Sequence, residues 1–162
     1  MNINTTYTKI ITGEDLMETA QHGSTLYPFQ FYYEDLSVFD FNCIEWHWHT
    51  ELEFIYIESG TVTLWIGEDQ FHLTEGNGIF INTKVLHRLY SPSKALIPNF
   101  VFMPSFIAPC DSLIYQKYIL PIISSSLPFL VFHKKVCWQA KVLSIMRQII
   151  SAQDSVLSKE LL

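Results

Sequence analysis

A chain of 162 residues, 49% hydrophobic and 15% aromatic, is long enough for one domain with a substantial core. Its formal net charge of −6, with no Lys/Arg run longer than Lys134-Lys135, argues against DNA binding by this segment, because phosphate neutralisation needs clustered cations. The start MNINTTYTKII has no basic stretch leading into an apolar core, and the greasiest window, Ile119 to Phe132, is too short to span a bilayer, so the chain is read as cytoplasmic with no membrane association.

In chain order, residues 1–24 are polar and weakly patterned, and Glu14–Gln21 admits a short helix. Leu26–Glu34 has the aromatic richness of a strand, in which Phe31 and Tyr33 alternate with Gln30 and Tyr32. The alternation points Phe31 and Tyr33 into a barrel interior, as core or as a stacking surface for an effector. Strands follow at Leu52–Ile57, Thr61–Ile66, Gln70–Thr74, Ile79–Ile81, Leu86–Tyr90 and Leu96–Met103, with a hairpin at Gly67-Glu68-Asp69. Breaks at such short intervals predict a mainly β antiparallel sandwich or barrel.

After Pro104 the pattern becomes helical. Ser112–Leu120 is predicted as a helix stopped by Pro121, Ser124–Pro128 as a loop, and Trp138–Gln153 as the strongest helix. Val142, Met146, Ile149 and Ile150 form its apolar stripe, which has to bury on the barrel or against a second subunit. Ser158 to Leu162 has the pattern of a further helix beginning where the sequence stops, the profile of a fragment.

Chemistry concentrates in His47-Trp48-His49-Thr50-Glu51-Leu52-Glu53 and in Gly76 to His87. Side chains alternate along a strand, so His47 and His49 share a face and Trp46 and Trp48 take the other. A straight strand would place Glu53 roughly 13 Å from His49. The chain therefore has to bend across Thr50–Leu52 if the two are to meet. Three imidazoles and a carboxylate could hold a divalent metal (Zn, Ni, Fe or Mn) or hydrogen-bond a polar effector directly. Glu51 is the competing acid, read as solvated. His22 and His72 are read as surface residues and His133 as a turn residue. Cys43, Cys110 and Cys137, with no paired spacing, are read as buried reduced thiols.

His47-x-His49, three residues, Glu53, six residues and Gly60 resembles the first signature of the cupin superfamily. Gly76, Asn82, Lys84 and His87 resemble the second, with Asn82 and Lys84 where proline and glycine are usual. Phe41 stands where a further glycine is expected. HWHTELEFIYIESG followed by EGNGIFINTKVLH is similar to the sensor half of AraC-type transcription regulators, a likeness covering roughly residues 25–155. It implies a cupin-like (double-stranded β-helix, jelly-roll) barrel over 25–107 that binds a small effector, often a sugar, through His47, His49, Glu53 and His87. It also implies a 108–162 helical region that forms a homodimer through Val142, Met146, Ile149 and Ile150. DNA contact would belong to a helix-turn-helix domain beyond residue 162. The competing expectation is a metal-dependent cupin oxygenase or isomerase using the same four residues.

Overall fold

The computed structural model describes residues 7–153, so the pattern at Ser158 to Leu162 lies outside the described residues. Among the described residues nine strands form two antiparallel sheets. These are β1 (Phe29–Asp35), β2 (Cys43–His47), β3 (Leu52–Tyr56), β4 (Thr61–Ile66), β5 (Asp69–Thr74), β6 (Gly78–Ile81), β7 (His87–Tyr90), β8 (Leu96–Phe102) and β9 (Phe129–Phe132). One sheet has the order β1-β8-β3-β6-β9 and the other β2-β7-β4-β5. The mainly β antiparallel architecture expected from the strand spacing is present, with the two facing sheets that the cupin resemblance implies. Between the sheets lies an aliphatic core that includes Ile55, Ile57, Val62, Leu64, Ile79, Ile81 and Ile97.

The outer face of the five-stranded sheet is aromatic. Phe29 and Phe31 from β1, Phe54 from β3, Phe80 from β6, Phe100 and Phe102 from β8 and Phe132 from β9 form a second core. Such a face needs cover, because exposed aromatic surface costs roughly 25 cal/mol per Å² left in water. The helix α2 (Cys137–Ala152) supplies it with Leu143, Met146 and Ile150, while Val142 and Ile149 pack alongside. The stripe expected at a dimer interface is thus buried largely within its own chain. Outward on the helix stand Trp138 and Ile145, 53% and 56% exposed.

Four expectations change. Glu14–Gln21 is not helical: Gly13 and left-handed Leu16 (φ 66°) turn the chain, after which Met17 is bridged to Trp48 and Glu18 to Thr12. The tail is not purely helical, since β9 pairs with β6. Both faces of β9 are apolar, Phe129 and Val131 toward the inner core and Leu130 and Phe132 toward α2, so no alternation announced it. Pro121 does not stop a helix; it occupies the first turn of α1 (Leu120–Ile123), which continues a π-helical stretch at Tyr115–Ile119. Of the three thiols only Cys43 is buried, while Cys110 and Cys137 are exposed.

Local geometry accounts for the signature glycines. A Cβ on Gly60 (φ 87°) would lie 2.7 Å from the Lys94 carbonyl oxygen, so only glycine fits there. Phe41 and Lys84, which stand where cupins usually carry glycine, keep the left-handed backbone at φ 58° and 60°. The turn is preserved at a strain of roughly 1–2 kcal/mol per residue.

Candidate functional site

Strand β2 delivers His47 and then bends through Thr50 and Glu51 before β3 begins, which brings Glu53 back beneath His49. Antiparallel pairing sets His87, the first residue of β7, directly opposite His47. The expected convergence occurs. Glu53 Oε2 lies 3.3 Å from His49 Nε2 and 3.2 Å from His87 Nε2, and the rings of His47 and His87 are 4.1 Å apart. All four side chains are buried, His87 completely.

Electrostatics divide the cluster. Burial alone would raise the Glu53 carboxyl, but the hydrogen bond from His49 and the electrostatic influence of the two neighbouring imidazoles hold it well below the usual carboxylate range. Burial would lower His49, yet its bond to Glu53 and that carboxylate's charge raise it. His47 is pushed well down by burial and by the neighbouring His87. The surroundings thus favour the ionised form of Glu53, the protonated form of His49 and the neutral form of His47.

The cluster also fits a cation. Nδ1 of His47 bonds the Glu45 carbonyl oxygen and Nδ1 of His87 that of Val85, both at 2.8 Å, which requires the proton on Nδ1 and leaves each Nε2 free to ligate. The three imidazoles offer ligand atoms within 4.8 Å of one another. The separations of 3.2 and 3.3 Å to Glu53 match the edge of roughly 3.4 Å in a tetrahedron built on bonds of about 2.1 Å. His87 Nε2 has no protein hydrogen-bond partner despite full burial, which is how a ligand atom looks when its partner is not a protein group.

Around this centre lies a small, partly open cavity of about 30 Å³, room for one or two waters. Its far wall is one that sequence reasoning missed. Tyr32 and Glu34 of β1 and Asn99 of β8 face inward, and the N-terminal segment adds Tyr7, Glu18 and His22. Tyr7 Oη and Asn99 Nδ2 donate to the two carboxylate oxygens of Glu34, at 3.1 and 2.8 Å. Burial, partly offset by these bonds, lifts Glu34 to about 7. His22 was read as a surface residue. It is 6% exposed, with Nδ1 2.8 Å from Tyr32 Oη and its ring edge-on to His49 at 5.5 Å.

Phe31 and Tyr33 do not join the site. The period of two in β1 was read correctly but the faces were exchanged: Phe31 lies on the outer aromatic face, while Tyr33 donates to Glu58. A signal was present, since the alternate set of the same strand contains Tyr32 and Glu34, and a carboxylate is misplaced on a face covered by a helix. Glu51 is less solvated than expected, its side chain 14% exposed and 3.8 Å from His49 Nδ1. His72 and His133 are exposed as read, and Trp48 is held by an indole bond to the Asp15 carbonyl oxygen.

Residues 30–106 match the family model described as the AraC-like ligand binding domain. These residues resemble that family. The chain also carries 24% identity over 143 residues, 86% of its length, to an uncharacterized HTH-type transcriptional regulator, YdeC, of Bacillus subtilis (strain 168). The match takes in 48% of that relative, so the chain spans about half its length. Among solved structures, an RmlC-like cupin from Shewanella frigidimarina NCIMB 400 aligns at 17% identity and a TM-score of 0.43, over 47% of this chain and 67% of that one. The SPY1581 protein of unknown function from Streptococcus pyogenes aligns at 19% identity with the same score, over 48% and 66% of the two chains. Oxalate decarboxylase of Bacillus subtilis, a protein with Mn(II) centres, aligns at 21% and 0.34, over 38% of this chain and 18% of that one. Among the described residues no helix is long and apolar enough to cross a membrane.

Proposed function

We propose that the chain is the effector-sensing part of an AraC-type transcription regulator working in the cytoplasm. Residues 25–107 bind a small polar effector, a sugar or a related polyhydroxylated molecule. Residues 108–162 contribute to a homodimer, and DNA is read by a helix-turn-helix domain outside this chain. The observation that carries the reading is the polar, partly open cavity inside the barrel. Its wall of His47, His49, Glu53, Tyr32, Glu34 and Asn99 offers donors and acceptors with no lysine or arginine, which suits a neutral polyol and disfavours anions. With Met146 and Ile150 buried, dimer contact falls to the outward side of α2, at Trp138 and Ile145.

A second occupant has its own support. The Nδ1 bonds of His47 and His87 to backbone carbonyls favour a divalent cation (Zn, Ni, Fe or Mn) on His47, His49, Glu53 and His87. Bound there, it would supply a Lewis-acid anchor for an oxygen ligand. The oxygenase or isomerase alternative has less support than the sensor, because the family match and the named relative both point to regulation.

The test is thermal-shift and calorimetric screening of neutral sugars, sugar phosphates and sugar acids against tag-free protein. A neutral polyol at 100 times its Kd should stabilise the fold by about 2.7 kcal/mol. Replacing Glu53 or Asn99 should weaken that response at least tenfold. Turnover of a sugar or organic acid by metal-loaded protein, with no equilibrium response to polyols, would make it an enzyme.

A further inference from the structure

His22 and Glu18 have no role in the ligand set just described, yet both are buried beside it. The side chain of His22 is 4% exposed and that of Glu18 7%. Burial and the nearby carboxylates Glu18 and Glu34 raise the Tyr32 phenol, which keeps it protonated. The hydroxyl shares a hydrogen bond of 2.8 Å with His22 Nδ1. His22 Nε2 is buried without a hydrogen-bond partner, with Glu18 Oε2 3.3 Å away. Both side chains line the small cavity that His47, His49 and Glu53 line from the other side.

We infer that the Glu18–His22 pair is a positioning element for a cation held by the histidine cluster, through water retained on that cation. The inference rests on the cation reading of the cluster. A cation that takes five or six ligands keeps water beside four protein groups, and its bound water is a strengthened donor that needs an acceptor. The cavity has room for one or two waters, and the carboxylate of Glu18, 3.3 Å from His22 Nε2, borders it. Outer partners of this kind typically contribute 10–100-fold in metal affinity.

The pair has a second consequence, because it rides on the N-terminal segment. That segment is tied to the barrel by Glu18 N–H donating to the Trp48 carbonyl and Trp48 N–H donating to that of Leu16, at 2.9 and 3.1 Å. If Glu18 and His22 strengthen cation binding, the cation must by linkage strengthen docking of residues 15–22 by the same factor. Occupancy of the barrel centre is thereby written onto a segment that lies against the barrel rather than within its sheets.

The experiment titrates metal-free protein with Zn²⁺ alone, and in a parallel series with Mn²⁺. It compares wild type with His87→Ala, His22→Leu and His22→Gln, and follows hydrogen exchange at the Glu18 and Trp48 amides. Unfolding of each cation-free variant is measured first, so that loss of fold is separated from loss of affinity. We expect His87→Ala to abolish tight binding and His22→Leu to weaken it about tenfold or more. His22→Gln, which keeps a polar atom at similar reach, should restore most of it. In wild type the cation should slow exchange at both amides several-fold, and in His22→Leu it should not. Affinities of wild type and His22→Leu within twofold of each other would overturn the inference, as would wild type that binds neither ion. In the latter case the response to polyols still decides the sensor reading on its own.

Discussion

The two faces of the five-stranded sheet are built from the same strands and carry opposite chemistry. On β1 the outward set is Phe29, Phe31 and Tyr33, while Tyr32 and Glu34 turn inward; on β8 Phe100 and Phe102 oppose Ile97, Asn99 and Val101. On β3 Phe54 faces α2 and its neighbour Glu53 faces the histidines. The outer face is sealed by one helix and gains from dispersion and area burial. The inner face buries two carboxylates, Glu34 and Glu53, each held by specific donors or by histidine, and Glu18 of the N-terminal segment is buried beside them. A helix-covered apolar face stabilises the domain, and the buried polar end costs stability that a ligand can recover.

Truncation on the outer face should give the largest effect on stability. Phe100→Ala, at a side chain 4% exposed and stacked on Phe54 at 5.3 Å, should cost about 3–5 kcal/mol in denaturant unfolding. It should leave ligand or cation affinity per folded molecule unchanged. A large affinity loss would show that the two faces are coupled through the sheet.

The inner face should reveal itself through pH. Unfolded Glu34 releases its proton near the ordinary 4.5, whereas the folded carboxyl keeps it to about 7. Between those values the native state binds the extra proton, so stability falls as pH rises. The shift corresponds to about 3 kcal/mol lost by pH 7 and above. Subtracting the stability–pH curve of Glu34→Gln from that of wild type should isolate this slope. A flat difference curve would mean that Glu34 is not protonated in the folded state.

The smallest effect tests the face assignment itself. Tyr32→Phe removes the hydroxyl bonded to His22 and should weaken pocket binding by about 1 kcal/mol. Phe31→Leu, one residue away on the other face, should change affinity by less than twofold while lowering stability by about 1 kcal/mol. The reverse pattern would restore Phe31 to the site.

Much of this was legible beforehand, for physical reasons. Period-two alternation and closely spaced turns announced the strands from Leu52 to Phe102, and the histidine spacing announced the cluster, because strand geometry maps sequence offsets onto faces. β9 was not legible, since a strand buried on both faces has no alternation to read. The N-terminal wall was not legible either: Tyr7, Glu18 and His22 lie in a polar stretch of no strong period, and their burial depends on contacts with Glu34 and Tyr32, which are ten or more positions away in the chain.

The amino-acid sequence by itself determined the β class, the main helix, and the shared face of His47 and His49, all consequences of local periodicity. Only the tertiary structure decided that Glu53 and His87 meet those histidines, which face of β1 looks inward, that the Met146 stripe covers its own sheet, and that His22 lines the pocket. Those outcomes depend on which surfaces distant segments bury against one another, and no single segment carries that information.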